Sequence, residues 1–174
     1  MDNDSSFLRS HFPLSIFNLA YQSCYSFHMH PPVRVVLASD HAGFELKEAI
    51  KKHLASRKID VIDVGTFSAE SVDYPAIIRS GCAAVLEQGC FGIIFGGSGN
   101  GEAMAANKVR GIRAALVYSD ETAKLARQHN NANIMSLGGR LTKTEDAKRF
   151  VDIFLATDFE GGRHERRVKD LEPA

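Results

Sequence analysis

The chain has 174 residues, 44% of them apolar, which suits one globular domain with one continuous core. Lys plus Arg equals Asp plus Glu at 21 each, so no global field draws the protein to nucleic acid or to an anionic membrane, and any anion site has to be local. Cys24, Cys82 and Cys90 form no CxxC pair and carry no metal-ligand spacing, which argues against a disulfide framework or a thiolate metal centre and fits a reducing, cytoplasmic setting; no stretch has the roughly eighteen uncharged apolar residues of a membrane helix.

Residues 1 to 32 read as an N-terminal extension, with aromatics, serines and histidines in no lasting period. Asp2 and Asp4 are acidic and Arg9 is the one basic residue, unlike the arginine-rich transit peptides or the positively charged start of a signal peptide. Pro31 and Pro32 mark the boundary, and the domain is expected over 33 to 174.

From Val33 onward short β-branched runs alternate with segments of helical period, the pattern of βαβ units. The first strand is VRVVLAS (33 to 39), followed by a helix with Leu46, Ala49, Ile50 and Leu54 on one stripe and a Glu48 to Lys52 ion pair on the wet side. DVIDV (60 to 64) comes next, then a helix from Pro75 with Ile78, Cys82, Val85 and Leu86 inward. FGIIF (91 to 95) leads into a glycine loop and a third helix. IRAALVY (112 to 118) precedes a fourth helix over about 120 to 129, and NIMSLGG (133 to 139) a fifth, capped by Thr144 and carrying Ala147, Phe150, Val151 and Phe154. The tail EGGRHERRVKDLEPA is charged. Each strand is apolar enough to be covered on both faces, so the expected fold is α/β: a doubly wound, parallel, five-stranded sheet of Rossmann or flavodoxin type in three layers.

In such sheets ligands bind beyond the carboxyl ends of the strands. Three loops there have unusual chemistry: Ser39-Asp40-His41-Ala42-Gly43, the segment GGSGNGE over 96 to 102, and Gly138-Gly139-Arg140. The glycine loop is no dinucleotide fingerprint, since GxGxxG counted from Gly97 ends on Glu102. It is no Walker loop either, since Gly96 and Gly101 are followed by Glu102 and Ala103 where Lys and Ser or Thr belong. A carboxylate at the helix start suits the dipole but repels a phosphate dianion. The loop amides can instead hold negative charge that develops during a reaction, with Glu102 as general base on a carbon acid. A tight turn with Glu102 as an ordinary first-turn charge is the other reading of this stretch alone.

SDHAGFELK (39 to 47), DVGTFSAESVDYP (63 to 75), GGSGNGEAMAANKVRGIRAAL (96 to 116), ARQHNNAN (126 to 133), LGGR (137 to 140) and FEGGRHERR (159 to 167) closely resemble the type B ribose-5-phosphate isomerases, a family that includes galactose and allose 6-phosphate isomerases. The resemblance runs over about 33 to 170. It implies interconversion of ribose 5-phosphate and ribulose 5-phosphate through an enediolate, in the non-oxidative pentose phosphate pathway, without metal or organic cofactor. The better-known branch has a cysteine as base at the position of Gly96; this sequence resembles the second branch, with Glu102 as base. Cys90 precedes the strand and reads as a small buried residue.

The resemblance also implies the roles. Ser98 and the amides around Gly97, Gly99 and Gly101 would hold the enediolate oxygens. Asp40 and His129 would open the furanose, Tyr74 and Asn130 would hold the sugar, and His41, Arg140, Arg163 and Arg167 would bind the phosphate, as guanidinium geometry favours. Arg163 and Arg167 are four apart, on one face of a helix. Without the motif, RHERR would read as a solvated run and His129 as a helix C-terminal histidine; His53 and His164 are read as surface residues. A homodimer or dimer of dimers is implied, with the 126 to 140 region of one chain facing the glycine loop of the other. A six-carbon phosphosugar isomerase and a non-catalytic phosphosugar-binding module on the same fold are the alternatives.

Overall fold

The computed structural model describes residues 34–172. The extension over 1 to 32, Val33 at the head of the first strand, and the last two residues lie outside them.

Five strands and six helices alternate among the described residues. They are β1 (Arg34–Ser39), α1 (Phe44–Ser56), β2 (Asp60–Asp63), α2 (Tyr74–Gln88), β3 (Phe91–Gly96), α3 (Asn100–Ala106), β4 (Ala114–Leu116), α4 (Asp120–Gln128), β5 (Ile134–Gly138), α5 (Thr144–Ala156) and α6 (Arg163–Lys169). All strand pairings are parallel and the order is β2-β1-β3-β5-β4. The doubly wound α/β sheet is as expected, but its last two strands are exchanged relative to the flavodoxin order.

Burial explains the exchange. β5, IMSLG, is buried along its whole length and takes an inner place, whereas only Ala114–Leu116 of the run IRAALVY forms a strand, half-buried at the edge. β2 is the other edge, exposed or half-buried throughout, so neither edge strand is covered on both faces as expected. The β4 edge is blunted by Asn107, whose side-chain amide donates to the Ala114 carbonyl and accepts from its N–H, both at 2.8 Å.

Side-chain alternation splits the core in two. Val35, Leu37, Ile93, Phe95, Met135 and Leu137 meet α1, α4 and α5 on one face. Val36, Ala38, Ile94 and Ile134 meet α2 and α3 on the other. Leu46, Ile50 and Leu54 of α1 are buried as the stripe predicts. Leu86 is not: α2 turns Ile78, Cys82 and Val85 inward and leaves Leu86 45% exposed. Ser119 caps α4 with a reciprocal box to Thr122. Thr144 is the first residue of α5 rather than its cap; the cap position is Lys143, with no side-chain bond.

Lys47 is among the largest fully buried side chains and carries the one ammonium among them. Its ammonium donates to both Asp63 oxygens, at 2.8 and 2.7 Å, and to Glu48 at 2.8 Å, between the rings of Phe44 and Phe67. The expected Glu48 to Lys52 pair is replaced by pairs from Glu48 to Lys47 and Lys51. Burial raises the Asp63 carboxyl, but hydrogen bonds from Lys47 and Lys51 outweigh it and hold the pKa below its ordinary value. Asp63 also accepts the Gly65 N–H at 3.0 Å; the Gly65 carbonyl in turn receives the Ser39 N–H, and Thr66 donates to the Ser39 carbonyl. The charged cluster thus anchors the turn beside the end of β1. No helix among the described residues is long and apolar enough to cross a membrane.

Candidate active site

The connections from β1 and β3 leave in opposite directions, so the sheet's switch point falls between these two strands. Ser39 pairs with Phe95, and Gly96 with Gly138, which brings the loops after β1, β3 and β5 together. Backbone bonds lock them: the Asp40 N–H donates to the Phe95 carbonyl at 3.1 Å, Gly139 to Gly96 at 2.7 Å and Arg140 to Gly97 at 3.1 Å. Gly99 takes the left-handed conformation at φ +80° ahead of α3, where a Cβ would also press on Leu116 and the Leu137 carbonyl group.

A cavity of about 430 Å³ opens over these loops, lined by Asp40, Tyr74, Gly97, Ser98, Gly101, Glu102, Arg140 and Leu141. Seven of the eight were singled out from the sequence. Leu141, 75% exposed beside Arg140, was missed, and an isolated leucine in a loop gives no signal.

Glu102 is only 4% exposed and has no ion pair among the described residues. Burial, and after it the neighbouring charge of Asp40, pushes its pKa above the ordinary carboxylate value, against a backbone hydrogen bond that lowers it. Its carboxyl group fills the space in front of Gly96, where a Cβ would collide with it. Asp40 is 7% exposed, and its Oδ1 accepts the Gly43 N–H at 2.9 Å, so the side chain is fixed. The Ser98 hydroxyl, on an exposed residue, accepts from the Asn100 N–H and side-chain amide, both at 3.3 Å. The Tyr74 ring packs on Gly101, where a Cβ would come within 2.8 Å of its Cζ and hydroxyl oxygen.

The remaining candidates fall elsewhere. His41 follows Asp40 but its Nδ1 lies 3.3 Å from both the N–H and the carbonyl of Val72. His129 caps the end of α4, Arg163 and Arg167 lie on α6, and none of them lines the cavity of its own chain. Asn130 lines a second cavity with residues such as Lys108, Arg110 and Arg113. The 126 to 140 region is therefore divided: Arg140 joins its own glycine loop through the backbone bond to Gly97, while His129 and Asn130 point to other surroundings.

Two histidines read as surface residues are not free-standing. His164 is 6% exposed and stacks on His129, with ring centroids 4.3 Å apart. His53 is half-buried and bonds Asp152 at 2.9 Å. Cys82 is fully buried, its thiol pushed up to about 11 by burial, and Cys90 is half-buried with a thiol raised for the same reason. Cys90 precedes β3, at the opposite end of that strand from the cavity.

Residues 35–171 match the sequence profile of the Ribose/Galactose Isomerase family. Ribose-5-phosphate isomerase B of Mycobacterium leprae is 48% identical over 142 residues, covering 80% of this chain and 88% of that protein. The crystal structure of a ribose 5-phosphate isomerase from Thermotoga maritima aligns with a TM-score of 0.80 at 49% identity, over 82% of this chain and 99% of the other. Ribose-5-phosphate isomerase B of Mycoplasma genitalium, solved with bound ribulose-5-phosphate, aligns with a TM-score of 0.76 at 41% identity, over 79% of this chain and 93% of the other. With its fold, loop motifs and sequence in agreement, the chain belongs to the ribose/galactose isomerase family.

Proposed function

We propose that the protein is an aldose-ketose isomerase that interconverts ribose 5-phosphate and ribulose 5-phosphate, with Glu102 as the general base. The observation that carries this reading is Glu102 itself: a carboxyl buried at the cavity, in no ion pair among the described residues, with its pKa raised above the ordinary carboxylate value. A non-catalytic sugar-phosphate module needs cationic groups but has no use for such a carboxyl.

The reaction moves two protons, one between carbons 2 and 1 and one between the oxygens they carry. Glu102 takes the first from carbon 2 of the open-chain aldose while the carbonyl oxygen on carbon 1 becomes anionic, then returns it to carbon 1 of the enediolate. Ser98 and the amides of Gly97, Gly99 and Gly101 hold the enediolate oxygens, and the Ser98 hydroxyl, both donor and acceptor, passes the proton from the oxygen on carbon 2 to the oxygen on carbon 1; donors fixed before the reaction need no reorganisation during it. Tyr74, held against Gly101, positions the sugar. His41 and Arg140 reach the phosphate end.

His129, Asn130, Arg163 and Arg167 are supplied by a second copy of the chain. Their place outside their own chain's cavity supports this. In this homodimer Asp40 of one subunit and His129 of the other act on the ring oxygen and the anomeric hydroxyl to open the furanose. The two arginines bind the phosphate. The same reading puts the enzyme in the cytoplasm, where Cys82 and Cys90 stay reduced.

The test is a coupled assay on ribose, allose and galactose phosphates. Turnover of ribose 5-phosphate in preference to the two hexose phosphates is expected. Turnover confined to a hexose phosphate would move the substrate to the six-carbon class, and no turnover of any would reject the enzyme reading.

A further inference from the structure

The ring of His129 does not stand alone at the end of α4. The chain after α5 folds back over it: Arg127, buried between the rings of Phe91 and Phe154, donates through Nε to the Thr157 carbonyl at 3.2 Å, and the Glu160 N–H donates to the Gln128 carbonyl at 3.0 Å. These bonds fix the 157–160 segment on α4 and deliver His164, at the start of α6, onto His129. The two imidazoles lie face to face, 4.3 Å between centroids and 8° from parallel. His164 is 6% exposed, whereas the His129 side chain remains 33% exposed. One ring is thus the buried floor and the other the accessible working face.

The polar atoms agree with that division. Arg163 Nε–H donates to His164 Nε2 at 3.3 Å, so that nitrogen is the acceptor of a neutral imidazole whose proton sits on Nδ1. His129 Nε2 faces the Glu160 carboxylate at 3.8 Å. The charged groups around the pair are Glu160, Arg163 and Arg167. Burial first, then the charges of His129, Arg163 and Arg167, hold the His164 pKa below its ordinary value, against Glu160. A cation is a poor fit, although the ligand-type atoms of His129, Glu160 and His164 lie within 4.8 Å of one another. Stacked rings direct their nitrogen lone pairs side by side rather than toward one point, and Arg163 already occupies His164 Nε2.

We propose that His164 is a positioning residue for ring opening: its neutral ring is the flat support that sets the plane of His129, so that His129 meets the sugar ring in one orientation. The proposal rests on the reading of His129 as a ring-opening residue. His164 itself touches no substrate. It limits the sweep of a half-exposed side chain, and misplacement of a reacting group by a small distance is enough to cost one or two orders of magnitude in rate.

The experiment is a double-mutant cycle on the intact homo-oligomer, with kcat and KM for ribose 5-phosphate measured for H164A, H164F, H129N and H129N/H164A. H164A is expected to lower kcat about tenfold with KM unchanged. H164F, which keeps a flat face of similar size, is expected to restore kcat, and H164A is expected to add nothing once His129 is gone. In proton spectra the His129 ring signals should shift and broaden in H164A but stay sharp in H164F. Wild-type kcat in H164A, a rise in KM with kcat unchanged, equal losses in H164A and H164F, or additive losses in the double variant would each overturn the positioning role. Wild-type kcat in H129N would instead overturn the ring-opening reading on which it rests.

Discussion

The carboxyl group of Glu102 occupies the space that a Cβ on Gly96 would take. A base at 102 therefore requires glycine at 96, and a thiol at 96 would require a different residue at 102. Gly96→Ala is the direct consequence. It should displace Glu102 and lower kcat on ribose 5-phosphate by two orders of magnitude or so, while overpacking costs only about 1–3 kcal/mol of stability, so circular dichroism should show a folded protein. Full activity in that variant would mean that Glu102 does not act from this position.

The raised pKa of Glu102 makes two further predictions whose signs agree. A carboxyl with a folded pKa above its unfolded value keeps its proton longer in the folded state, so its contribution to stability is fully present below the unfolded pKa and is lost as pH rises through the folded pKa. Above that window the folded state carries a buried charge, and Glu102→Gln should raise Tm at pH 7.5. Below the unfolded pKa the two proteins should converge. The acid limb of kcat/KM should likewise lie above the roughly 4.3 of an ordinary glutamate. A limb at or below that value, together with a Tm unaffected by Glu102→Gln, would contradict the assigned burial.

The proposed composite site predicts complementation. Glu102→Gln and His129→Asn homodimers should both be nearly inactive, yet after mixing and subunit exchange half of the dimers are mixed and each mixed dimer holds one intact site, so about a quarter of wild-type activity should return. Native mass spectrometry on the mixture, with one variant isotopically labelled, shows whether mixed dimers have formed. Exchange with no recovery would place the two residues in the same subunit's site.

Lys47 and Asp63 offer a test of the frame beneath the site. Lys47→Met leaves Asp63 and Glu48 with Lys51, a 39% exposed partner, in place of a fully buried one, and should cost about 3–5 kcal/mol in urea unfolding. Lys47→Met/Asp63→Leu should recover much of that loss, because the buried charge is then gone. An additive double loss would show that Lys47 contributes through its stem rather than through the ion pair.

How much of this was legible in the sequence follows from where each residue's partners come from. β1, β3 and β5 are continuous apolar runs, each ending in a polar or glycine turn, so their loops could be picked out and correctly joined. Glu102 stood out because a carboxylate replaced the lysine expected of a phosphate loop. The edge position of β4 was hidden, since IRAALVY is as apolar as the inner strands and only its competition with the wholly buried β5 decides which is central. Lys47 did leave a trace: with Ile50 and Leu54 it lies on the inward row of α1, but its charge argued for solvent until Asp63 arrived from β2. His164 left none, because its partner His129 reaches it only through the fold-back of the 157–160 segment.

In the proposed reaction Glu102 moves the proton between carbons 1 and 2. The measurement that decides this is turnover of ribose 5-phosphate by wild type and Glu102→Gln, with binding of the substrate followed separately by calorimetry. Removing the base while keeping its shape should lower kcat by about 10²–10⁴ with affinity little changed. Near-normal turnover in Glu102→Gln would rule out Glu102 as the base.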